Sequence, residues 1–198
     1  MLEEIDNDLR TVRRGMRAAD VPANILSGIS TRALRSGRRQ TGEFQSNRNS
    51  RWTLKANDPQ YGTEEDCKKI ELRLIGMLCE FVNGPVPDDD IREILAKYIG
   101  HVPVTGSYRD ALTKERLDYN HFLAEATTPT WGRSTFHIGH DDPTRIPKHK
   151  PENISWRSHR SNLIQGDMTL KEARTKFVEL IGRYFDLGEV TINPDEIV

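Results

Sequence analysis

Three residues of this 198-residue chain, His140, Asn153 and Asn162, have types and an order that could do chemistry together. They stand 13 and 9 positions apart. A neutral imidazole, with a pKa near ~6.5, can take a proton from water at neutral pH. Its second ring nitrogen needs a partner that holds the right tautomer, and a backbone or amide oxygen near Asn153 can serve. The Asn162 carboxamide oxygen is a hard, neutral ligand suited to a divalent cation such as Mg²⁺, which keeps several waters and needs few protein ligands. Taken singly, each residue has an ordinary reading. A histidine in a polar loop is usually solvated, an asparagine after Glu152 can end a turn, and Asn162 can help to start a helix. The order and spacing of the set carry the signal.

The surrounding elements must place these groups. STFHIGH (134–140) alternates as a strand, and NISWRS (153–158) reads as a second one across a proline-containing loop. A helix is expected from about Ser161 to Gly166, and Thr169-Leu-Lys-Glu172 is a capping-box pattern that opens another. That last helix should run to about Phe185, with Leu170, Ala173, Phe177, Leu180, Ile181 and Tyr184 along one side. Strand, loop, strand, helix is a ββα unit. His140 ends its first strand, Asn153 opens the second, and Asn162 lies on the helix.

The stretch FHIGHDDPTRIPKHKPENISWRSHRSNLIQGD resembles the core of the HNH (ββα-metal) endonucleases, of the H-N-N subtype. The resemblance covers about 134 to 170. It implies that His140 is the general base, that Asn153 shapes the loop and orients it, and that Asn162 binds one metal ion, Mg²⁺ or another divalent cation such as Mn²⁺. It also implies phosphodiester hydrolysis in double-stranded DNA. The residue before the base is usually a second ligand in that family, and here it is Gly139. His137, Asp141, Asp142 and Asp167 are the alternatives. Strand alternation puts His137 on the face where the missing ligand would stand, which favours it mildly.

Charge is distributed to suit such a substrate although the formal net charge is only −1. Between Leu9 and Ala56 there are eleven Lys/Arg, ten of them Arg, against Asp20 and Glu43 alone. Within that arm Arg35, Arg38, Arg39, Arg48 and Arg51 are candidate DNA contacts, and QTGEFQSNRNSRWTLK (40–55) offers side chains for base edges and phosphates. Around the core, Arg133, Lys148, Arg157 and Arg160 are further candidates. Trp156, on the second strand, reads as core, and His149 and His159 read as solvated.

The upstream chain reads as scaffold. Leu2, Ile5, Leu9, Val12 and Met16 form one apolar helical stripe, after which the pattern dissolves from about 20 to 62. Helices are expected from Thr63 to about Val82 and from Asp88–Asp90 to Gly100, then a short strand at VPVTG (102–106) and a helix over Leu117–Ala126. The expected fold class is α+β, a mainly helical scaffold around a ββα core. It divides into 1–62 (N-terminal helix and Arg-rich arm), 63–100 (helical scaffold) and 101–198 (nuclease domain). A mean hydropathy of −0.68 and 30% charged residues fit a polar surface. Cys67 and Cys79 match neither a zinc knuckle nor a disulfide framework. No apolar run approaches the ~18–20 residues of a membrane span, so a cytoplasmic protein is expected. About 130 residues precede the core, which by the resemblance suits a stand-alone, dimeric restriction-type enzyme acting on a palindromic site. A phage or mobile-element nicking enzyme is the alternative, as is a non-catalytic DNA-binding protein with a degenerate core.

Overall fold

Apolar residues at helical spacing become helices almost wherever they occur. The computed structural model describes residues 2–38, 40–41, 44–45, 47–128 and 134–189, with backbone alone for 40, 41, 44 and 45. The N-terminal stripe forms α1 (Leu2–Ala18), which buries Ile5, Leu9, Val12 and Met16. Capped by the Thr63 hydroxyl, which accepts from Asp66 N at 3.1 Å, α3 (Glu64–Cys79) buries Leu72, Leu74, Ile75 and Leu78 completely. α1, α2 and α4 surround it, so it is the spine of the scaffold. α4 (Asp89–Ile99) stops at Gly100, whose φ of 91° lies in the left-handed region open to glycine.

Two expectations fail upstream of the core. The segment after Asp20 contains α2 (Ala23–Leu34), which buries Ile25, Leu26, Ile29 and Ala33 against α3. Its Ser, Thr and Gly residues lower intrinsic helix propensity and hide the pattern, and burial against α3 overrides them. Conversely, 102–106 forms no strand. Pro103 cannot donate to a ladder, and the segment turns instead, with Gly106 N donating to Phe81 O at 3.0 Å. Further along the arm, β1 (Gln40–Thr41) and β2 (Phe44–Gln45) pair antiparallel.

α5 (Tyr119–Thr127) is capped by Asp118. Then come β3 (Phe136–His140) and β4 (Ile154–Ser158), an antiparallel pair, with α6 (His159–Gln165) packed on both strands. The predicted capping box is present at the start of α7 (Leu170–Asp186). This helix leans on α6 and leaves Val178, Leu180, Ile181 and Tyr184 exposed. The fold is therefore α+β, a helical scaffold bearing a small ββα unit. One continuous apolar cluster runs from Ile5 to Trp156 and joins scaffold to hairpin. Among the described residues no helix is long and apolar enough to cross a membrane.

Candidate active site

Alternation divides the β3–β4 hairpin into two unlike faces. Phe136, Ile138 and His140 pair with Ser158, Trp156 and Ile154 and share the first face. That face presses on the scaffold. Trp156 is fully buried, donates from Nε1 to Leu74 O at 2.9 Å, and meets Phe81 and Phe122 edge-on. His137 and Gly139, opposite Arg157 and Ser155, form the second face, under α6. Ser158, at the end of β4, accepts from Ser161 N at 3.0 Å and so caps α6.

His140 closes β3 on the dry face. Its side chain is half-buried overall, but Nε2 is enclosed and has no hydrogen-bond partner among the described residues. Burial lowers its pKa to about 4, and the nearby positive charges of Lys148, Arg51 and Arg157 add to the shift. At neutral pH it is an uncharged imidazole. His149 packs against it, with ring centroids 6.1 Å apart. Contrary to the solvated reading, His149 is fully buried, and its Nε2 lies 2.7 Å from Ala33 O in α2. A carbonyl only accepts, so that nitrogen carries the proton and Nδ1, also unpartnered, is a bare acceptor. Burial, then Arg51, brings the His149 pKa down to about 3. Nothing in its polar sequence context, PKHKPE, announces this burial. It follows from α2, which the sequence hid.

Asn153 acts as a clasp. Its Oδ1 accepts from Asp142 N at 2.8 Å, and Nδ2 donates to Asp142 O and Lys148 O, both at 2.8 Å. Asp141 N also donates to Asn153 O at 3.0 Å. Both amide protons thus hold the 141–152 loop, which fixes where His140 and Lys148 stand. Its place is that of a positioning residue.

On the second face, Arg157 crosses Gly139. A Cβ at 139 would overlap Arg157 Cγ and lie 2.7 Å from its Nε, so the missing side chain is matched by the arginine that takes its volume. The guanidinium is fully buried. It donates from Nη2 to Asp141 Oδ1 at 2.7 Å, and Nη1 lies 3.7 Å from Asp110 Oδ1. Asp110 is buried as well and accepts from Ser158 N, Leu112 N and the Ser161 hydroxyl, at 2.9, 2.9 and 2.5 Å. This network joins the 108–113 segment, β4 and α6. Sequence reading missed Asp110, which lies far from the motif.

His137 and Asn162 are placed differently. His137 Nε2 lies 2.7 Å from Ser134 O, and its ring sits on that of His159, with centroids 4.8 Å apart. It is therefore drawn to the start of α6, away from the hairpin end that bears His140. Asn162 is half-buried on α6, three residues before Gln165, and residues so spaced share a helix face. Gln165 Nε2 donates to His140 O at 2.8 Å, which ties the last turn of α6 to the end of β3. The hard oxygen donors offered here are the Asn162 amide, on α6, and the Asp141 carboxylate, which follows β3 and whose side chain is 39% exposed. Among the described residues no group of three or more His, Cys, Asp or Glu is arranged to hold a metal. Two oxygens with waters in the remaining positions still suit Mg²⁺.

No protein-family model matches the chain, and no curated protein matches it either. Its fold is similar to that of a solved structure described as a type II restriction endonuclease, with a TM-score of 0.52 and 19% identity. The match covers 63% of this chain and 54% of that one, so this chain corresponds to about half of its neighbour.

The basic candidates separate by exposure. Arg35, Arg48 and Arg160 are exposed, as is Arg38, and Lys148 is half-buried beside His140. Arg35 Nη1 donates to Ser50 Oγ at 2.8 Å. Arg51 and Arg157 are buried: Arg51 Nη1 donates to Gln60 O at 3.0 Å, and its pKa falls to about 10 through desolvation. These two shape the site from inside and have no surface to offer a phosphate. Arg39 and Arg133 lie outside the described residues.

Proposed function

We propose that this chain is a metal-dependent HNH-type endonuclease that hydrolyses phosphodiester bonds in double-stranded DNA, in the manner of a restriction enzyme. The observation that carries the reading is the joint placement of the three motif residues. His140 ends β3, Asn153 clasps the intervening loop, and Asn162 lies on α6, which packs on both strands. The restriction-endonuclease fold of the neighbour supports the same reading.

The residues divide the work in a definite way. His140, uncharged at neutral pH, accepts the proton of the attacking water. A base whose pKa is near 4 is weak, and much of the depression comes from burial and from surrounding cations. A phosphate brought beside it supplies the opposing charge and raises the pKa towards neutrality, so the base strengthens when substrate arrives. His149 packs behind it, anchored on α2. Lys148, held by the Asn153 clasp, adds positive charge near the phosphate. Asn162 and Asp141 would hold one Mg²⁺ or Mn²⁺ ion. Such an ion stabilises charge on the phosphate and on the leaving oxygen. Arg157 shares Asp141 and limits how far that carboxylate can turn. Each chain carries one such centre and a duplex has two strands, so paired cutting calls for a homodimer.

Arg157 over Gly139 favours a second reading, a DNA-binding protein whose ββα unit has lost catalysis. One experiment separates the two. Supercoiled plasmid is incubated with the protein and Mg²⁺, and in parallel with EDTA. Discrete, metal-dependent fragments are expected, and nicked circles would point to a nicking enzyme. Intact plasmid together with retardation on a gel would replace the proposal with the binding reading.

A further inference from the structure

α1 and α2 line an open groove of about 300 Å³. Three arginines line it, Arg13, Arg17 and Arg35, with the hydroxyl-bearing Ser27, Ser30 and Thr31. Among the described residues no acidic side chain lines it. Glu71, whose side chain is fully buried, pairs with Arg13. Arg13 Nε donates to Glu71 Oε1 at 2.8 Å, and Nη2 donates to both Glu71 and Ser30 Oγ. The glutamate therefore fixes the guanidinium. Arg17, one turn further along α1, is exposed and has no acidic partner among the described residues.

The position of the groove gives it a use. Its lining runs the length of α2 and ends at Leu34 and Arg35. The adjoining Ala33 O receives His149, which packs on His140. The last turn of α2, where the groove ends, therefore also receives the loop that carries His149. Twelve helical residues extend ~18 Å at 1.5 Å each, the length of about five phosphates along one strand of a duplex at 3.4 Å apiece.

We propose that the α1–α2 groove binds the phosphodiester backbone of DNA away from the scissile bond, and that Arg17, Arg13 and Arg35 are its phosphate contacts. This deepens the nuclease reading, since it rests on DNA being the substrate. Arg13 and Arg17 precede the arm candidates singled out in the sequence, and the groove adds them to the interface. Contacts of this kind fix the register of a duplex and carry no base information.

The test is binding of a labelled, mixed-sequence 20-base-pair duplex to the full-length protein in EDTA, by fluorescence anisotropy, across a salt series. Arg17→Glu, Ser27→Glu and their combination are compared with Arg183→Glu on α7, remote from the groove. Thermal melting of each variant establishes that it is folded, and Arg13 is left intact because it holds Glu71. Each lost phosphate contact flattens the log–log salt slope by about 0.9, so the combined variant should lose roughly tenfold or more in affinity and one to two units of slope. Arg183→Glu should change neither. Folded groove variants with unaltered affinity and slope would overturn the proposal, and so would a wild type that does not bind the duplex. Groove variants that bind weakly beside a wild type that leaves plasmid intact in Mg²⁺ would keep the groove and remove the nuclease reading. Unchanged binding beside active cleavage would do the reverse.

Discussion

The two faces of the β3–β4 hairpin are held by different physics. On one, Trp156, Phe136 and Ile154 are enclosed by the aromatic cluster around Phe81 and Phe122. On the other, Arg157, Asp110 and Ser161 are just as buried but joined by charge and hydrogen bonds. Dry packing is non-directional and tolerates swaps of similar volume. The charged face tolerates little, because removing one partner strands the other without water. His140 belongs by alternation to the dry face and stands at its open end, which explains an imidazole that is deprived of solvent yet reachable. Its neutral character comes from burial and from the positive charges around it.

Substitutions on each face should therefore differ in how they can be rescued. Trp156→Ala and Asp110→Ala should each lower stability by about 3–5 kcal/mol in urea unfolding, the first through a cavity and the second through the loss of buried charge beside Arg157 and of the acceptor for Ser158 N, Leu112 N and the Ser161 hydroxyl. Trp156→Phe should recover much of its loss, whereas Asp110→Asn should recover little. Equal recovery on both faces would erase the distinction.

Acid should act on the dry face through its histidines. The pKa values of His140 and His149 lie below 6.5, at about 4 and about 3. Above pH 6.5 both are neutral whether folded or unfolded, and they contribute no pH dependence. As pH falls from 6.5 towards 4, the unfolded chain takes up their protons and the folded chain does not, so stability is lost. His140 alone accounts for roughly 3 kcal/mol over that window at ~1.4 kcal/mol per unit. Urea midpoints at pH 7 and pH 4.5 check this, and a His149→Phe variant should show a shallower acid loss. An identical loss in that variant would remove His149 from the account.

The smallest effect concerns the fit between the faces. Gly139→Ala forces a methyl against Arg157 and should cost about 1–3 kcal/mol. In an Arg157→Ala background the same change should be nearly neutral, because the overlapping atoms are gone. Additive losses in a double-mutant cycle would mean that glycine is required there for another reason.

What the sequence disclosed follows the same division. Periodic apolar stripes gave α1, α3 and α4, alternation gave β3 and β4, and cap chemistry gave α7, because each is a local property of a few consecutive residues. The places of His140, Asn153 and Asn162 on the ββα unit were legible for the same reason. What stayed hidden depends on distant partners. α2 is stabilised by burial against α3, His149 is covered by α2, and Asp110 finds Arg157 across 47 positions. Arg51 and Arg157 carried the charge expected of DNA contacts, yet they are buried. Residue type reports charge, and only the fold decides which way it faces.

The central claim is that the imidazole of His140 and the carboxamide of Asn162 serve one reaction. Single-turnover plasmid cleavage in Mg²⁺ by His140→Ala, Asn162→Ala and the double variant tests it directly. Groups that act as a unit are strongly non-additive. Each single variant should slow cleavage by about 10²–10⁴-fold, and the double variant should be scarcely slower than the worse single one, with duplex binding retained throughout. Cleavage that survives His140→Ala at the wild-type rate, or losses that multiply in the double variant, would contradict the account.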